Sequence, residues 1–507
     1  MDDLKGIAFH SIYQHDQVPF SETLDQTNYG RWYYATNNTT DLTYRSGACA
    51  DVRGEFSQFG SLDDSDDTSF RDSTKNQHVF AFAVDLGKVA TNSVRTLFSI
   101  GLAQKQAIQF QGHAGAGSLR SSWAHHFRTD TEALAFFHHD YAYAAEQSIN
   151  IDDQIRSDAL AVAGPDYAAL TTLVFRQAFS ALEIARYRKE DLVFLKEISS
   201  NGNMQTVDVL YPFHTILLHI NPRLLKLSLD PLFINQESGH FPQEYSIHDL
   251  GLHFPNATGH DDGKDEAMPI EESANMLIMT LAYTQRADDS YYLVQHYKIL
   301  RQWAEYLVKD TLHAPKQLST DDFMGELANQ TNLALKGIIG IKAMAVIART
   351  IGNDLDEERY SSIAHDYIIE WQSLSISRDD ELPHATLAYG QNDSHGLLYN
   401  LYVDKQLGLN LVPEEIYEMQ SNFYPAVKKE YGVPLDTRQK WWVKSDWQLW
   451  AAAVASDETR DLLIQDVANF ARTTISAAPL SDLYNANNAR YVNRSQLSCF
   501  TWLVLMV

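Results

Sequence analysis

The segment LSTDDFMGELANQTN places two adjacent carboxylates, Asp321 and Asp322, shortly before an apolar stretch that begins at Asn332. A carboxyl group at such a position can accept a proton from a bound substrate or donate one to it. Acidic residues also stabilise the start of a helix, because their charge complements the positive end of the helix dipole. The pair therefore predicts either an acid or base or an N-terminal cap.

A second candidate site lies in RQKWWVKSDWQLWAAA, where four of the nine tryptophans fall within ten residues. Aromatic rings exclude water, and a charge in a dry surrounding interacts more strongly with its partner. Asp446 is therefore interpreted as a second acid or base, with Lys444, Trp441 and Trp447 as substrate-binding residues. The alternative is a layer of packed tryptophans with the lysine and the aspartate paired outside it.

A third region, rich in acids and histidines, indicates the rim of a cavity. Its titratable residues are Glu237, His248, Asp249, His253, His260, Asp261, Asp262, Asp265, Glu266, Glu271 and Glu272. Metal binding was weighed, but the spacing matches neither an EF-hand nor a helical zinc motif, so no metal site is predicted. His248 and Asp249 are interpreted as substrate-binding. Glu271 and Glu272 follow Pro269, so they either begin a helix or supply further catalytic carboxylates.

A fourth polar run, EISSNGNMQTVDVLYP, contains Ser199, Ser200, Asn201, Asn203 and Asp208. The side chains of Asn201 and Asn203 could bind a polar substrate. An ordinary loop with local side-chain caps explains the same pattern equally well.

The overall charge excludes two classes of partner. Lys and Arg total 40 against 66 for Asp and Glu, which gives a formal charge of −26. This charge repels phosphate backbones and anionic lipids, so neither nucleic acid nor a membrane is expected as a partner. The longest apolar run, 334–351, contains Lys336, Lys342 and Arg349, so no membrane span is predicted. The N-terminus has no visible signal peptide.

The common nucleophile and nucleotide motifs, Gly-x-Ser-x-Gly, Ser-x-x-Lys and a Gly-rich phosphate loop, do not occur in the chain. The chemistry that remains is hydrolysis of a small molecule by paired carboxylates and an activated water, without a cofactor.

Cys49 and Cys499 permit one disulfide without requiring it. Glycosylation sequons stand at Asn37, Asn38, Asn256, Asn329, Asn392 and Asn493 and permit an extracellular protein.

The periodicity of the chain changes once. Between Gly30 and Phe110 apolar residues alternate at period two, most clearly in HVFAFAVDLG, which predicts an antiparallel sandwich ending near residue 125. A helix over 131–150 follows, and from there the period is 3.6. Helices are predicted at Tyr167–Tyr187, Glu271–Arg286, Tyr291–Val308, Asn332–Gly352, Glu357–Trp371 and Asp457–Ile475.

These helices are of two kinds. Tyr291–Val308 and Glu357–Trp371 carry one apolar stripe each and are predicted to be outer helices. LALKGIIGIKAMAVIA is apolar nearly all round, and Gly337 and Gly340 allow close approach, which predicts an inner helix. Such alternation is typical of a closed double ring of helical hairpins, and an open solenoid fits it as well.

The motifs VFAFAVDLG, EISSNGN, TVDVLYP, QESG, YSIHDLG, HFPNATGHDDG, LSTDDF, ANQTNLALKGIIGIKAMA and KSDWQLW together resemble the fungal glutaminase A family. The resemblance runs through nearly the whole chain. It implies a secreted protein, mainly α, with an N-terminal antiparallel β-sandwich-like module and an (α/α)6 six-hairpin toroid. The expected boundaries are 1–125 for the β module, 126–155 for a linker helix and 156–507 for the toroid.

The resemblance also implies hydrolysis of L-glutamine to glutamate and ammonia, with the polar motifs meeting at the toroid mouth. Asp322 and Asp446 are then the acid and base, with Glu271 and Glu272 behind them. Lys444 or Arg176 would hold the substrate α-carboxylate. The alternatives are a glycoside hydrolase that uses the same cavity and a chain that binds a ligand without turnover. At both ends the sequence departs from the family pattern, and after SDLYNANN it reads NRSQLSCFTWLVLMV where a different segment is expected.

Overall fold

The structure is a computed structural model that describes residues 6–72, 75–90, 93–197, 201–378, 381–476 and 479–492. Ser199, Ser200, Asn493, Cys499 and the rest of 493–507 lie outside these ranges. The contacts divide the chain into two compact units, Met1–Ala107 with Arg120–Ile149, and Ile108–Leu119 with Asn150–Val507. The sequence had placed the divisions at 125 and 155.

The first unit is built from antiparallel strands. One sheet has the order β1-β4-β7, and β5 and β6 form a second. His10 Nε2 on β1 donates to the carbonyl of Ala81 on β6 (3.0 Å), and the His10 ring lies 4.5 Å from that of Phe82. Tyr34 on β4 contacts Phe80 and Phe82 as well. Phe80 and Phe82 thus face the other sheet, which confirms the predicted alternation of HVFAFAV. The elements are β1 Ile7–Tyr13, β2 Glu22–Thr23, β3 Gln26–Thr27, β4 Arg31–Asn37, β5 Leu42–Ala48, α1 Cys49–Phe59, β6 His78–Val84, β7 Phe98–Ala103, α2 Trp123–His126 and α3 Asp130–His139.

The second unit contains a five-stranded sheet in the order β11-β10-β9-β8-β12. Its strands are β8 Gln106–Gly112, β9 Gly115–Ser121, β10 Leu182–Tyr187, β11 Glu190–Leu195 and β12 Asn256–Ala257. The helix predicted over Tyr167–Tyr187 therefore extends too far, since its helical part ends at Phe179. Residues 182–187 pair with 190–195 in an antiparallel hairpin, whose tertiary pairing the local periodicity did not reveal.

Helices make up the rest of this unit. They are α4 Tyr141–Phe179, whose residues 141–149 fall in the first unit, α5 Val207–Ile220, α6 Pro222–Glu237, α7 Pro269–Ala287, α8 Ser290–Asp310, α9 Thr331–Thr350, α10 Asp354–Ser375, α11 Leu401–Gln406, α12 Glu414–Val427, α13 Ser445–Ala453 and α14 Asp457–Thr473. Short strands accompany them: β13 Ile376–Ser377, β14 His384–Ala385, β15 Trp442–Lys444 and β16 Leu483–Asn485. Helix α4 is two helices, because Gly164 has a φ of +79° that ends the first half. Arg176 and Asp152, each twelve residues from Gly164, form an ion pair that joins the halves.

Helices buried on all sides alternate with helices that have one buried face. Helices α5, α7, α9, α11 and α13 are the inner ones, and each packs against the next. Helices α8 and α10 are amphipathic outer helices, as predicted. Helix α9 is long and apolar enough to cross a membrane, but it lies in the core of the unit.

Close packing around α9 confirms the role expected of its glycines. A Cβ on Gly340 would lie 2.9 Å from Leu307 Cδ1 on α8 and 3.1 Å from Ala274 on α7. A Cβ on Gly337 would meet Thr311, at the end of α8, at 2.4 Å. The missing side chains let α9 contact both neighbours, since even one methyl group is felt in a close-packed core.

The inner helices also share a buried ion pair. Lys336 on α9 and Glu271 on α7 are both buried, and the ammonium group contacts the Glu271 carboxylate. The Lys336 Nζ also donates to Asn275 Oδ1 on α7 (3.0 Å) and lies 3.9 Å from the centre of the Tyr211 ring on α5. One lysine therefore joins three inner helices.

Replacing Lys336 by methionine should destabilise the protein strongly. Lys336→Met keeps the apolar stem but leaves the Glu271 charge buried without a partner, so the free energy of unfolding should fall by about 3–5 kcal/mol. Denaturant unfolding measures this change. The matched control is Lys342→Met on the half-buried part of the same helix, with an expected change of about 1 kcal/mol or less. Equal effects of the two substitutions would contradict the assigned role of the ion pair.

Candidate functional site

Polar side chains from across the helical unit line a single cavity of about 440 Å³. Its walls come from the loop before α5, the start of α5, the 240–268 segment, the loop before α9, and the β15–α13 corner. The lining residues are Glu197, Asn201, Asp208, Val209, Pro212, His248, Glu266, Met268, Thr320, Asp322, Lys444, Asp446, Trp447 and Asp482. Six carboxyl groups and two basic groups therefore surround this space.

On one wall, His248 is held by a chain of charged hydrogen bonds. Its Nδ1 lies 2.8 Å from Asp249 Oδ2, and Asp249 Oδ1 lies 2.8 Å from His260 Nε2. Burial raises the pKa of Asp249, but the hydrogen bonds from the two imidazoles outweigh burial and hold this pKa below its usual range. Burial likewise lowers the pKa of His248, yet Asp249 and Asp208 raise it well above its ordinary value. Asp249 is thus an ionised anchor that fixes the orientation of the His248 ring.

Asp208 occupies the first turn of α5 and faces the same wall. Its Oδ1 lies 3.6 Å from His248 Nε2. Burial raises the pKa of Asp208 to about 7, which exceeds the lowering by His248. Glu272, in the first turn of α7, is fully buried, and burial together with the charge of Asp208 raises its pKa well above normal. Asn275 Nδ2 donates to Glu272 Oε2 at 3.0 Å.

At the β15–α13 corner, strand pairing brings Lys444 beside Asp482. Lys444 pairs with Leu483 across the two strands, and Ser445 N donates to the Asp482 carbonyl at 2.8 Å. The Lys444 Nζ is 2.5 Å from Asp482 Oδ2 and 3.2 Å from Asp446 Oδ2. Burial raises the pKa of Asp446 to about 6; Lys444 lowers it, while Asp482 raises it further. This carboxyl group therefore changes protonation close to neutral pH.

The two adjacent acids before α9, Asp321 and Asp322, line different cavities. Asp322 begins a short 3-10 helix, Asp322–Met324, and lines the main cavity. Asp321 lines a second cavity of about 300 Å³ and accepts hydrogen bonds from Trp447 Nε1 and the Tyr399 hydroxyl, each at 3.2 Å. Burial raises the pKa of Asp321 to about 7. The rings of Tyr399 and Trp447 stack 4.2 Å apart, and both residues donate to Asp321. The charge of Lys444 lowers the pKa of Asp321, and that of Asp446 raises it.

Comparison with known proteins identifies the family. A family model described as the glutaminase A six helical-hairpin domain matches residues 164–501, and one described as a domain of unknown function (DUF5127) matches residues 1–158. The glutaminase A of Aspergillus oryzae is 52% identical over 96% of this chain. The chain belongs to the glutaminase A family.

Other similarities are more distant. A probable glutaminase of Arthroderma benhamiae is 32% identical over 92% of this chain. The chain spans 70% of the length of the Aspergillus relative and 64% of the Arthroderma relative. A solved bacterial glucoamylase in complex with acarbose is 10% identical, with a TM-score of 0.45 over 94% of this chain and 71% of that chain. The family membership confirms the expected β-rich N-terminal region and six-hairpin helical domain.

The structure brings together half of the twelve residues predicted for a glutaminase site. Asn201, His248, Asp322, Lys444, Asp446 and Trp447 line the cavity. Four others are buried outside its lining: Asn203, Asp249, Glu271 and Glu272. Of these, Glu271 pairs with Lys336, and Asn203 accepts the Glu197 amide through its backbone carbonyl (2.8 Å).

Two predicted residues are not brought to the cavity. The Arg176 side chain is 68% exposed and pairs with Asp152, so the structure places it on the α4 hairpin instead. Trp441 is 48% exposed, and its backbone carbonyl accepts the Ala486 amide at 2.7 Å. Neither residue lines the cavity. Helix α4 directs Arg176 to the surface, and Trp441 lies just before β15, which begins at Trp442.

Sequence analysis did not select four of the lining acids, Glu197, Asp208, Glu266 and Asp482. Glu197, Asp208 and Glu266 do stand within the polar runs that it identified, and Asp482 lies in SDLYNANN. The sequence did carry a signal for Asp208. This acid stands in the first turn of an apolar helix, as Glu271 and Glu272 do. Recognising VDVLYPFHTILLHI as an inner helix would have revealed it.

Proposed function

We propose that this chain hydrolyses the side-chain amide of L-glutamine to L-glutamate and ammonia. The names of the two fungal relatives support this substrate. The observation that carries the proposal is Asp446, a buried carboxyl group with a pKa of about 6, placed 3.2 Å from Lys444 on the cavity wall. A group with such a pKa is ionised at neutral pH but still basic enough to remove a proton from water.

In the proposed reaction, Asp446 takes a proton from a water molecule as its oxygen attacks the amide carbon of the side chain. The carbonyl oxygen gains negative charge, which the neighbouring Lys444 ammonium stabilises in a surrounding with little water. Asp482 holds Lys444 in place. When the carbon–nitrogen bond breaks, the proton that Asp446 took from water passes by way of Asp322 to the leaving nitrogen, and ammonia departs. Lys444 thus acts at the amide rather than as the anchor for the substrate α-carboxylate.

The remaining acids fit the other end of glutamine. Glu197 and Glu266 line the cavity together and would attract the α-ammonium group of an amino acid. Neutral sugars gain nothing from such a charge, which favours an amino-acid substrate over a glycoside. The competing glycosidase function rests on Trp447, whose ring could stack on a sugar beside Asp446 and Asp322.

Glutamine-dependent ammonia release by the purified chain tests the substrate. We expect ammonia from L-glutamine, and much less from L-asparagine because its amide is one methylene closer to the α-carbon. A panel of glycosides run alongside should be inert. Glycoside turnover without ammonia release would replace the amidase by the glycosidase function.

Asp446→Asn and Asp322→Asn should each lower kcat/KM for glutamine by about 10²–10⁴-fold, since each removes a proton-transfer group. The control is Asp262→Asn, which neutralises an exposed aspartate outside the cavity lining and should leave kcat/KM unchanged. Near-normal turnover in both cavity variants would disprove the assigned roles.

The pH dependence should report the protonation of Asp446. Since the ionised form is the base, kcat/KM should fall below about pH 6, roughly tenfold per pH unit. Asp482 raises the pKa of Asp446, so Asp482→Asn should move this acidic limb to lower pH. The measurement is kcat/KM between about pH 4 and pH 8 for the two proteins. A limb that stays in place or moves to higher pH would exclude Asp446 as the base.

A further inference from the structure

Three ionisable side chains, Asp208, His248 and Glu272, converge beside the cavity. Each offers one oxygen or nitrogen atom, and these three atoms lie within 4.8 Å of one another. All three residues are buried, Glu272 completely and the other two by more than nine-tenths. Asp208 and His248 also line the cavity, so two of the three side chains border it.

Two of the carboxylate oxygens in this group are not satisfied by the protein. Among the described residues, Asp208 Oδ1 and Glu272 Oε1 are buried and have no hydrogen-bond partner. The 3.6 Å between Asp208 Oδ1 and His248 Nε2 is longer than an ordinary hydrogen bond. A buried carboxylate oxygen without a partner carries a large desolvation cost, which a bound cation would offset.

The orientation of His248 matches that of a metal-binding histidine. Its Nδ1 is tied to Asp249 Oδ2 at 2.8 Å, and Gly251 N fixes Asp249 through a 2.7 Å hydrogen bond to Oδ1. His260 holds the same oxygen. A carboxylate on one ring nitrogen sets the orientation of the ring and makes the other nitrogen a better ligand. Here that other nitrogen, Nε2, is the atom facing Asp208.

We propose that Asp208, His248 and Glu272 bind a divalent cation of the zinc or manganese type. One imidazole nitrogen and two carboxylate oxygens suit these ions. Bonds of about 2.0–2.1 Å in tetrahedral geometry separate ligand atoms by about 3.3 Å, so the Asp208–His248 distance needs only a small contraction. The sequence predicted no metal, because the ligands come from three separate segments and form no motif.

The cation would also have a part in substrate binding, and this step alone rests on the proposed function. Glutamine brings an α-carboxylate into a cavity lined by six carboxyl groups. Lys444 already lies against Asp446 and Asp482. A cation held by three protein ligands keeps a coordination position open toward the cavity, where it can bind the α-carboxylate.

Direct metal analysis of the full chain tests the site. The protein is stripped with a chelator and dialysed against Zn²⁺ or Mn²⁺, and the bound metal is counted by elemental analysis and titrated by calorimetry. We expect one equivalent per chain. His248→Gln and Glu272→Gln should weaken binding at least about tenfold. The matched control, Asp482→Asn, removes another carboxylate from the same cavity and should keep one equivalent.

Circular dichroism must show that the variants are folded, and Asp208→Asn replaces either one that is not. No stoichiometric binding of either ion, or equal binding by the ligand variants and wild type, would overturn the cation site; a proton shared by the three groups would then explain the cluster. The two proposals fail separately. A bound cation in a chain that releases no ammonia from glutamine supports the site and removes the amidase, and ammonia release with no bound cation does the reverse.

Discussion

The buried ion pair between Lys336 and Glu271 is the interaction on which the helical unit most depends. It lies where α5, α7 and α9 meet, and it satisfies a charge that would otherwise be stranded in the core. Breaking such a pair costs about 3–5 kcal/mol, which is a large part of the stability of a typical domain. The pair also fixes the first turn of α7, and with it the neighbouring Glu272. The geometry of the cavity wall is therefore set from the core outward.

Four buried acids share a structural position, the first turn of an inner helix. Asp208 begins α5, Glu271 and Glu272 begin α7, and Asp446 begins α13. A helix N-terminus stabilises a negative charge by about 0.3–2 kcal/mol. Burial works against it, and the rise of the Asp208 pKa from 3.8 to about 7 corresponds to about 4 kcal/mol. Burial thus wins at Asp208 and Asp446, and it raises the pKa of these two carboxyl groups to about 7 and about 6, where proton transfer is useful.

Much of this fold could be read from the sequence because its signals are local. The period change, the amphipathic α8 and α10, and the apolar α9 with Gly337 and Gly340 all follow from residue spacing. Residues 182–187 were misassigned because they continue an apolar pattern, and only the pairing with 190–195 makes them a strand. The packing of distant segments decides which of Asp321 and Asp322 faces the main cavity and whether Arg176 reaches it. Residue spacing does not encode this packing.

Negative charge limits the partners of the protein at two scales. Over the whole chain, −26 charges make polyanions poor partners. Inside the cavity, six carboxyl groups face Lys444 and His248, so a small anion is equally disfavoured unless a positive group receives it. Glutamine carries both an ammonium and a carboxylate group. Glu197 and Glu266 suit the ammonium group. The carboxylate group finds Lys444 already against Asp446 and Asp482, and His248 against Asp208 and Asp249. An amino-acid substrate in this cavity therefore calls for an additional positive charge, at the point where the buried oxygens of Asp208 and Glu272 also require one.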